Sequence, residues 1–137
     1  MGYYSRQQNR KRCEATEQEA LVSWCELFEN RYPELKLLYH VPNGGSRNRL
    51  EAANLKRQGV KAGVPDLCLP VPKRNYHGLY IEMKYGKNKT TEAQEEWLEA
   101  LGQQDYKTAV CYSAEEAREV IKEYLGIMQE GREHETE

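Results

Sequence analysis

Two acidic residues and a lysine have the types and spacing that could hydrolyse a phosphodiester bond. Asp66 follows a proline, and Glu82 lies 16 residues further on, two residues before Lys84. Two carboxylates that converge repel each other unless a cation lies between them, and their hard oxygen atoms suit Mg²⁺ or Mn²⁺ rather than zinc. A neighbouring lysine can orient an attacking water and stabilise charge developing on phosphorus. The three residues together indicate metal-dependent hydrolysis, whereas Glu-x-Lys alone favours a surface ion pair and Pro-Asp alone a turn.

A predicted strand over residues 79–85 places the glutamate and the lysine on one face of a sheet. Side chains alternate along a strand, so one face should be core: Leu79, Ile81, Met83 and Tyr85. The other face presents Glu82 beside Lys84, about 7 Å apart at the backbone. Tyr80 shares that face and could stack, hydrogen-bond or pack in the core. If residues 66–70 form the other strand of a hairpin, Asp66 converges on Glu82.

The remaining pattern predicts an α/β fold with a mixed four-stranded sheet flanked by helices. Leu21, Trp24 and Phe28 form the buried stripe of a first helix. Later helices begin at Thr91-x-x-Gln94 and Ser113-x-x-Glu116, which are capping boxes, and another begins after Ser46 as its cap. The predicted order is α-β-α-β-β-α-β-α, with elements at 13–30, 35–41, 47–58, 66–70, 79–85, 91–102, 107–112 and 113–126.

Length and composition predict one globular domain. The 137 residues are 39% hydrophobic and 31% charged, which is typical of a folded domain of this size. We expect the domain at 13–126, a flexible basic segment at 1–12 and an acidic tail at 127–137. No apolar run approaches the roughly 18 residues of a membrane span, and no secretory signal is visible. The sequence therefore predicts a cytoplasmic protein with no membrane partner.

The four cysteines and the glycines argue against two other kinds of site. The cysteines lie at 13, 25, 68 and 111 and form no closely spaced pair, so buried thiols are favoured over zinc ligands or disulfides. Gly59-x-x-x-Gly63 lacks the Gly-Lys-Ser/Thr end of a P-loop, so binding of a nucleoside triphosphate is not supported.

Charge is unevenly distributed along the chain. The formal net charge is −2, but residues 44–89 carry ten Lys and Arg against three acids, and residues 90–137 carry four against thirteen. A basic middle with few acids suggests a surface that faces a polyanion. For charge alone, an ordinary solvated pattern is an equally good interpretation.

Around these residues the sequence resembles the VRR-Nuc branch of the PD-(D/E)xK nuclease superfamily, especially short stand-alone forms found in bacteriophages. The signature is Pro65-Asp66…Glu82-Met83-Lys84, and further matching stretches are residues 39–45 (YHVPNGG), 59–66 (GVKAGVPD) and 77–84 (HGLYIEMK). The likeness extends over nearly all of residues 13–125, although the Val-Arg-Arg that names the family is absent. It implies a restriction-endonuclease-like core that cuts DNA in a bacterial or phage-infected cell.

The resemblance also implies roles for individual residues. Asp66, Glu82 and the Met83 carbonyl would bind Mg²⁺ or Mn²⁺, and Lys84 would assist the attacking water. A first-helix carboxylate would join them. Glu14 with Gln18 fits the family spacing and is preferred, Glu17 is the rival, Glu19 is weaker, and a solvated first turn explains all three equally simply. Gln94 matches a family glutamine, with helix capping as the competing explanation.

DNA is the expected partner. The residues expected to contact it are Asn43, Gly44, Gly45, Arg47, Arg49, Lys56, Arg57, Lys61, Lys87 and Lys89. By analogy with Holliday-junction resolvases of similar size, we expect a homodimer that cuts branched DNA, with apolar surface from Leu35, Leu37, Tyr39 or the first helix. The alternative is a DNA-binding module with a nuclease-like fold that does not cut.

Overall fold

The helices and strands occur in the predicted order. The computed structural model describes residues 11–42 and 48–127. Its helices are α1 (Glu14–Phe28), α2 (Arg49–Arg57), α3 (Glu92–Gln103) and α4 (Ala114–Leu125), with a 3₁₀ helix at Pro33–Leu37. Its strands are β1 (Tyr39–His40), β2 (Leu67–Leu69), β3 (Leu79–Met83) and β4 (Lys107–Cys111). The predicted α/β class with a mixed four-stranded sheet flanked by helices is confirmed.

The sheet has the strand order β1-β2-β3-β4. β1 pairs antiparallel with β2, and β2 pairs antiparallel with β3, with Cys68 opposite Tyr80. The predicted hairpin is therefore present. β4 runs parallel to β3 with Val110 opposite Glu82. The chain can pair in this direction because α3, which lies between the two strands in sequence, carries it back to the end of the sheet where β3 begins. The end of β3 that bears Glu82 thus lies beside the end of β4.

The hydrophobic core lies between one face of the sheet and the pair α1 and α4. Leu21, Trp24 and Cys25 supply the buried side of α1, and Ala117 and Ile121 belong to the buried side of α4. The inward side chains of the sheet complete this core: Leu67, Leu69, Leu79, Ile81, Met83 and Cys111. The spacing of three and four residues on the helices and two on the strands is what buries one face of each element.

Of the two predicted capping boxes, only that of α3 forms in full. Thr91 and Gln94 form the reciprocal capping box of α3. Ser113 caps α4 by accepting a hydrogen bond from the Glu116 amide, while the Glu116 carboxylate accepts from the amide of Tyr112, one residue earlier than a capping box requires. α4 ends at Gly126, whose φ of 71° is in the left-handed region that glycine adopts readily.

Three predicted details are wrong. Leu35 to Leu37 are not a strand: Pro33 begins a 3₁₀ helix, and β1 is only two residues long. Leu35 is also 2% exposed, so it offers no surface to a second chain. The cap of α2 is Asn48, whose side chain accepts from the Glu51 amide, so that helix begins at Arg49 rather than Arg47. Ser46, the residue expected to cap it, lies outside the described residues, as do Asn43 and most of the two terminal segments.

Three of the four cysteines are buried free thiols, as the sequence favoured. Cys25, Cys68 and Cys111 are buried free thiols, and only Cys13 among the four is exposed. Burial raises the pKa of Cys25 and of Cys111 to about 12, which keeps both thiols protonated and unreactive. None of the described helices has the length and apolar character that crossing a membrane requires.

Candidate active site

Glu82 is a buried carboxylate at the centre of the site. It lies on β3, 2% exposed, on the face opposite the core. Its Oε1 accepts a hydrogen bond of 2.9 Å from the Gln94 amide, but its buried Oε2 receives no hydrogen bond from any residue that the structure describes. Burial, followed by the charge of Asp66, raises the pKa of Glu82 to about 8, against the opposing effect of Lys84. Asp66, Glu82 and Lys84 are therefore close enough to influence one another.

Asp66 is held in position by the strands on both sides of it. It immediately precedes β2, and its backbone carbonyl accepts from the Val41 amide at 2.7 Å. Nδ1 of His40 lies 2.9 Å from the same carbonyl oxygen. On the other side, the Asp66 Oδ2 accepts a 2.8 Å hydrogen bond from the Met83 amide. This last bond crosses from β2 to β3 and directs the aspartate towards Glu82. The Met83 side chain is in the core, so only its backbone can take part in the site.

Gln94 has both of the roles that the sequence left open. Its Oε1 accepts from the Thr91 amide at 2.9 Å, which is the capping interaction. Its Nε2 donates to Glu82 at 2.9 Å, which is an interaction with the site. One side-chain amide can do both because its two ends carry an acceptor and a donor. The start of α3 is thereby connected to the carboxylate on β3.

Lys84 and Glu14 lie side by side next to these carboxylates. The Lys84 side chain is only 9% exposed, and its Nζ is 4.0 Å from Oε1 of Glu14. The other oxygen of Glu14 is 3.4 Å from Nδ2 of Asn88, in the loop that follows β3. The Lys84 amide donates to the Cys111 carbonyl at 2.8 Å, which fixes the backbone of the lysine against β4. The first turn of α1 is therefore brought to the site through Glu14.

Glu17 lies elsewhere, with its carboxylate already occupied. It accepts from the Arg12 guanidinium at 2.7 and 3.2 Å and from the Ala114 amide at 3.3 Å. The hydrogen bonds from Arg12 hold the pKa of this carboxyl below its usual range. Glu17 thus joins the beginning of α1 to the beginning of α4, and Arg12, which the sequence assigned to the N-terminal segment, is part of that connection.

The residues of the site fit a hard divalent cation. Two neighbouring carboxylates, one of them buried with an oxygen that lacks a donor, require either a shared proton or a cation. Within residues 11–42 and 48–127, no group of three or more His, Cys, Asp or Glu side chains could hold a metal ion. The side-chain oxygens available at the site are those of Asp66 and Glu82. Mg²⁺ is commonly held by one or two carboxylates, with water and substrate phosphate as its other ligands.

Comparison with known proteins gives a family and a similar solved structure. The model of the VRR-NUC domain family matches residues 4–115. The chain belongs to the VRR-NUC domain family. A solved structure described as "VRR_NUC domain protein" is similar at 31% sequence identity and a TM-score of 0.72, covering 86% of this chain and 92% of its own. The comparison with curated proteins gives no match. Membership of the VRR-NUC domain family implies nuclease activity, with DNA as the substrate.

The basic residues expected to contact DNA in this VRR-NUC domain are exposed where the structure describes them. Arg49, Lys56 and Arg57 lie on α2, none of whose residues is buried, and Arg57 donates to Asn54. Lys61 is in the loop that leads to Asp66, and Lys87 and Lys89 flank Asn88. Four others lie outside the described residues: Asn43, Gly44, Gly45 and Arg47.

Sequence reasoning missed two residues that support the site. The ring of His40 contacts the Asp66 carbonyl. Asn88 contacts Glu14 across 74 positions of the chain. No local pattern marks either residue, because both contacts depend on how distant segments pack.

Proposed function

We propose that the chain is a divalent-metal-dependent deoxyribonuclease of the PD-(D/E)xK kind, with Asp66, Glu82 and the Met83 carbonyl as ligands for Mg²⁺ or Mn²⁺. The observation that carries the proposal is the buried Glu82 carboxylate, which faces Asp66 with one oxygen lacking a hydrogen-bond donor. Such a group is costly to bury unless it is protonated or bound to a cation. A purely structural site would have no reason to retain it.

The chemistry divides between the cation and the side chains. When bound, the cation supplies Lewis-acid stabilisation of the phosphoryl group and helps to generate a nucleophile at neutral pH. Lys84, held with only 9% of its side chain exposed, places a positive charge where negative charge develops on phosphorus. It also orients the attacking water.

Glu14 and Gln94 assist these groups. Glu14 contacts Lys84 at 4.0 Å, and we assign it rather than Glu17 as the first-helix carboxylate, because Glu17 is bound by Arg12 and the Ala114 amide. Because no three acidic side chains among the described residues form a metal site, we assign Glu14 a role through Lys84 rather than the role of metal ligand that the resemblance implied. Gln94 donates to Glu82 Oε1, so Oε2 is the oxygen that remains available to a cation.

DNA would lie across the basic residues around this site. The exposed lysines at 61, 87 and 89 come from the two loops that border Asp66 and Lys84, and α2 adds its own basic side chains. Contacts of this kind bind phosphate without reading sequence. We further propose that the chain is a stand-alone, phage-type form of the family. By analogy with Holliday-junction resolvases of similar size, we propose branched DNA as the substrate and a homodimer as the acting form.

Cleavage with defined metals tests the mechanism. Purified protein is mixed with duplex, flap, splayed and four-way-junction DNA in Mg²⁺, Mn²⁺ or excess EDTA. We expect cleavage with either metal and none in EDTA, with activity restored when the metal is returned. Undiminished cutting after chelation would refute the metal mechanism. Binding to DNA without cutting under every condition would identify a non-cleaving binding module instead.

Two lysine variants separate the chemical step from DNA binding. Lys84→Ala should abolish hydrolysis and leave affinity within a few-fold, because most affinity comes from many phosphate contacts. Lys36→Ala, an exposed lysine on the 3₁₀ helix, is the control and should change neither. Parallel loss of affinity and activity in Lys84→Ala would make the lysine a docking residue.

A further inference from the structure

Four aromatic side chains form a surface across the sheet, next to the candidate active site. We call His77, Tyr106, Tyr80 and Tyr39 the aromatic surface. The rings of Tyr80 and Tyr106 are 5.4 Å apart and nearly perpendicular at 71°, and those of His77 and Tyr106 are 5.7 Å apart. Tyr39 and Tyr80 are both paired with Cys68, from its two sides. The rings therefore extend from β1 to the beginning of β4.

The helices leave this surface partly open. α1 packs with α4 over the opposite face of the sheet, and α3 packs against β4. α2 buries none of its residues. Tyr39 is 51% exposed, His77 is exposed, and Tyr80 and Tyr106 are half-buried. Rings that served only to fill a core would be covered on both sides.

The aromatic surface begins two residues from the proposed metal ligand. Tyr80 and Glu82 lie on the same strand and the same face, so their backbones are about 7 Å apart. A strand of DNA with a phosphate at Glu82 would have the nucleotide next to that phosphate within reach of Tyr80.

Rings on an open sheet face suit one kind of nucleic acid. Aromatic side chains stack on bases of any type, because every base has a π-face, and this is how many proteins bind single strands. In a duplex the faces of the bases are covered by their neighbours, so a protein ring can reach a base face only where the strand is unpaired or the base is turned out. The aromatic surface therefore distinguishes unpaired from paired DNA.

We propose that the aromatic surface stacks an unpaired base next to the phosphodiester cut at Glu82, and so selects DNA with single-stranded nucleotides at the cleavage position. This inference rests on the nuclease function proposed above and adds the part of the substrate that it recognises. Tyr39, at the exposed edge of the sheet, supplies the outer ring, and Tyr80 supplies the ring closest to the site.

A binding experiment in EDTA tests the inference without cleavage. The DNA is a splayed duplex in which each unpaired nucleotide beside the branch is replaced in turn by 2-aminopurine, whose fluorescence falls on stacking, or by an abasic unit. We expect fluorescence quenching at one or more positions, and about tenfold weaker binding when the base at that position is absent. Affinity for fully paired duplex serves as the reference.

Paired variants identify the rings. Tyr39→Ala and Tyr80→Leu should remove both the quenching and the preference for a base over the abasic unit, while duplex affinity stays the same. Tyr39→Phe and Tyr80→Phe keep the ring and should retain both, which protects the test against a variant that fails to fold. Tyr112→Ala removes an exposed tyrosine that lies outside the aromatic surface and is the control for loss of an exposed ring.

The possible failures are distinct. Equal binding of base and abasic DNA by the unsubstituted protein would overturn the inference, as would an equal loss of duplex and splayed binding in the tyrosine variants. Neither result bears on the metal mechanism. Quenching without cleavage in any metal would instead refute the nuclease function for this chain, and with it the claim that the stacked base marks a cleavage position.

Discussion

Glu82 is buried and has a second carboxylate, that of Asp66, nearby. Both features destabilise the folded chain when Glu82 is ionised. Its pKa is raised to about 8 by burial and then by Asp66, whereas an unfolded glutamate has a pKa of about 4.3. Below the unfolded value the carboxyl is protonated in both states and costs nothing. As pH rises towards 8 the unfolded chain loses this proton first, so stability falls over that range.

We therefore expect Glu82→Gln to be more stable than the parent chain in EDTA at about pH 9 and similar to it at about pH 4. The gain could reach a few kcal/mol, since each unit of pKa shift corresponds to about 1.4 kcal/mol. Urea unfolding at the two pH values measures it. Glu96→Gln, on the exposed side of α3, should show no gain. A pH-independent difference between Glu82→Gln and the parent chain would contradict the raised pKa.

Glu14 and Glu17 should respond oppositely to the same substitution. Glu14→Gln removes a carboxylate beside Lys84, so we expect about tenfold or greater loss of cleavage rate with an unchanged unfolding midpoint. Glu17→Gln weakens the ion pair with Arg12 and the contact with Ala114, so we expect about 1–3 kcal/mol of destabilisation and activity close to normal below its unfolding temperature. Cleavage assays and urea unfolding on both variants decide which glutamate acts in the site and which stabilises the fold. The reverse outcome would exchange the two assignments.

The sequence predicts the centre of the site better than its surroundings. Strand alternation is sufficient to put Glu82 and Lys84 on one face, and the hairpin brings Asp66 to them. The choice between Glu14 and Glu17 is beyond the sequence, because residues three apart on a helix lie on the same side. The partners Arg12 and the Ala114 amide separate them, and the second comes from the other end of the fold.

At the scale of elements, the loop before β2 determines where Asp66 lies. Gly63 in this loop has a φ of +92°, and a Cβ there would be 2.7 Å from the backbone of Ala93 at the start of α3. The loop thus passes directly against the helix whose Gln94 binds Glu82. Close approach at this point keeps Asp66 and Gln94 in a fixed relation.

Gly63→Ala should therefore cost more than the usual penalty for a positive φ. Gly59→Ala is a matched control, because Gly59 also has a positive φ, +104°, but open space around it. We expect about 1 kcal/mol of destabilisation at Gly59, and a clearly larger loss at Gly63 together with slower cleavage. Urea unfolding and single-turnover rates measure the two effects. Equal effects at the two glycines would mean that the contact with α3 is unimportant.

α2 buries none of its residues, so core packing does not explain its place in the fold. If it contacts phosphates, Arg49→Gln combined with Lys56→Gln should weaken DNA binding and reduce the slope of log affinity against log salt by about 1.8, or 0.9 for each lost phosphate contact. Lys36→Gln combined with Arg118→Gln removes the same charge from other elements and should leave the slope nearly unchanged. Fluorescence anisotropy over a range of salt concentrations gives the slope. Equal slopes in the two double variants would remove α2 from the DNA surface.

The predicted strand at residues 35–41 shows where a local pattern misleads. Leu35-Lys36-Leu37 alternates like a strand, but only Leu35 is buried, and Leu38 three residues later packs against the same core. That spacing of three is the period of a 3₁₀ helix, which Pro33 begins. Two apolar residues in alternation are too few to distinguish the two-residue period of a strand from the three-residue period of a 3₁₀ helix. The longer pattern of α1 predicted its helix correctly.

At the scale of the whole molecule, the nuclease has one candidate active site in each 16.0 kDa chain, whereas resolution of a four-way junction needs two nicks placed symmetrically. A two-fold symmetric protein meets a two-fold symmetric junction most simply, and such dimers are the commonest oligomers. Large apolar side chains are exposed on α1 and on the 3₁₀ helix, which pack against each other: Leu27 is 74% exposed and Leu37 51%. Single exposed leucines are ordinary, but two on adjoining elements are candidates for an interface.

We accordingly expect light scattering at micromolar concentration to give twice the mass of one chain. Leu27→Glu combined with Leu37→Glu should return the mass to 16.0 kDa, because a charge on each side of a two-fold interface meets its own copy. The double variant should still nick DNA while losing coordinated cleavage of both junction strands, since the substitutions lie on elements other than those that bear Asp66 and Glu82. A single-chain mass for unsubstituted protein that still makes paired nicks would refute the dimer and leave a monomer that cuts twice.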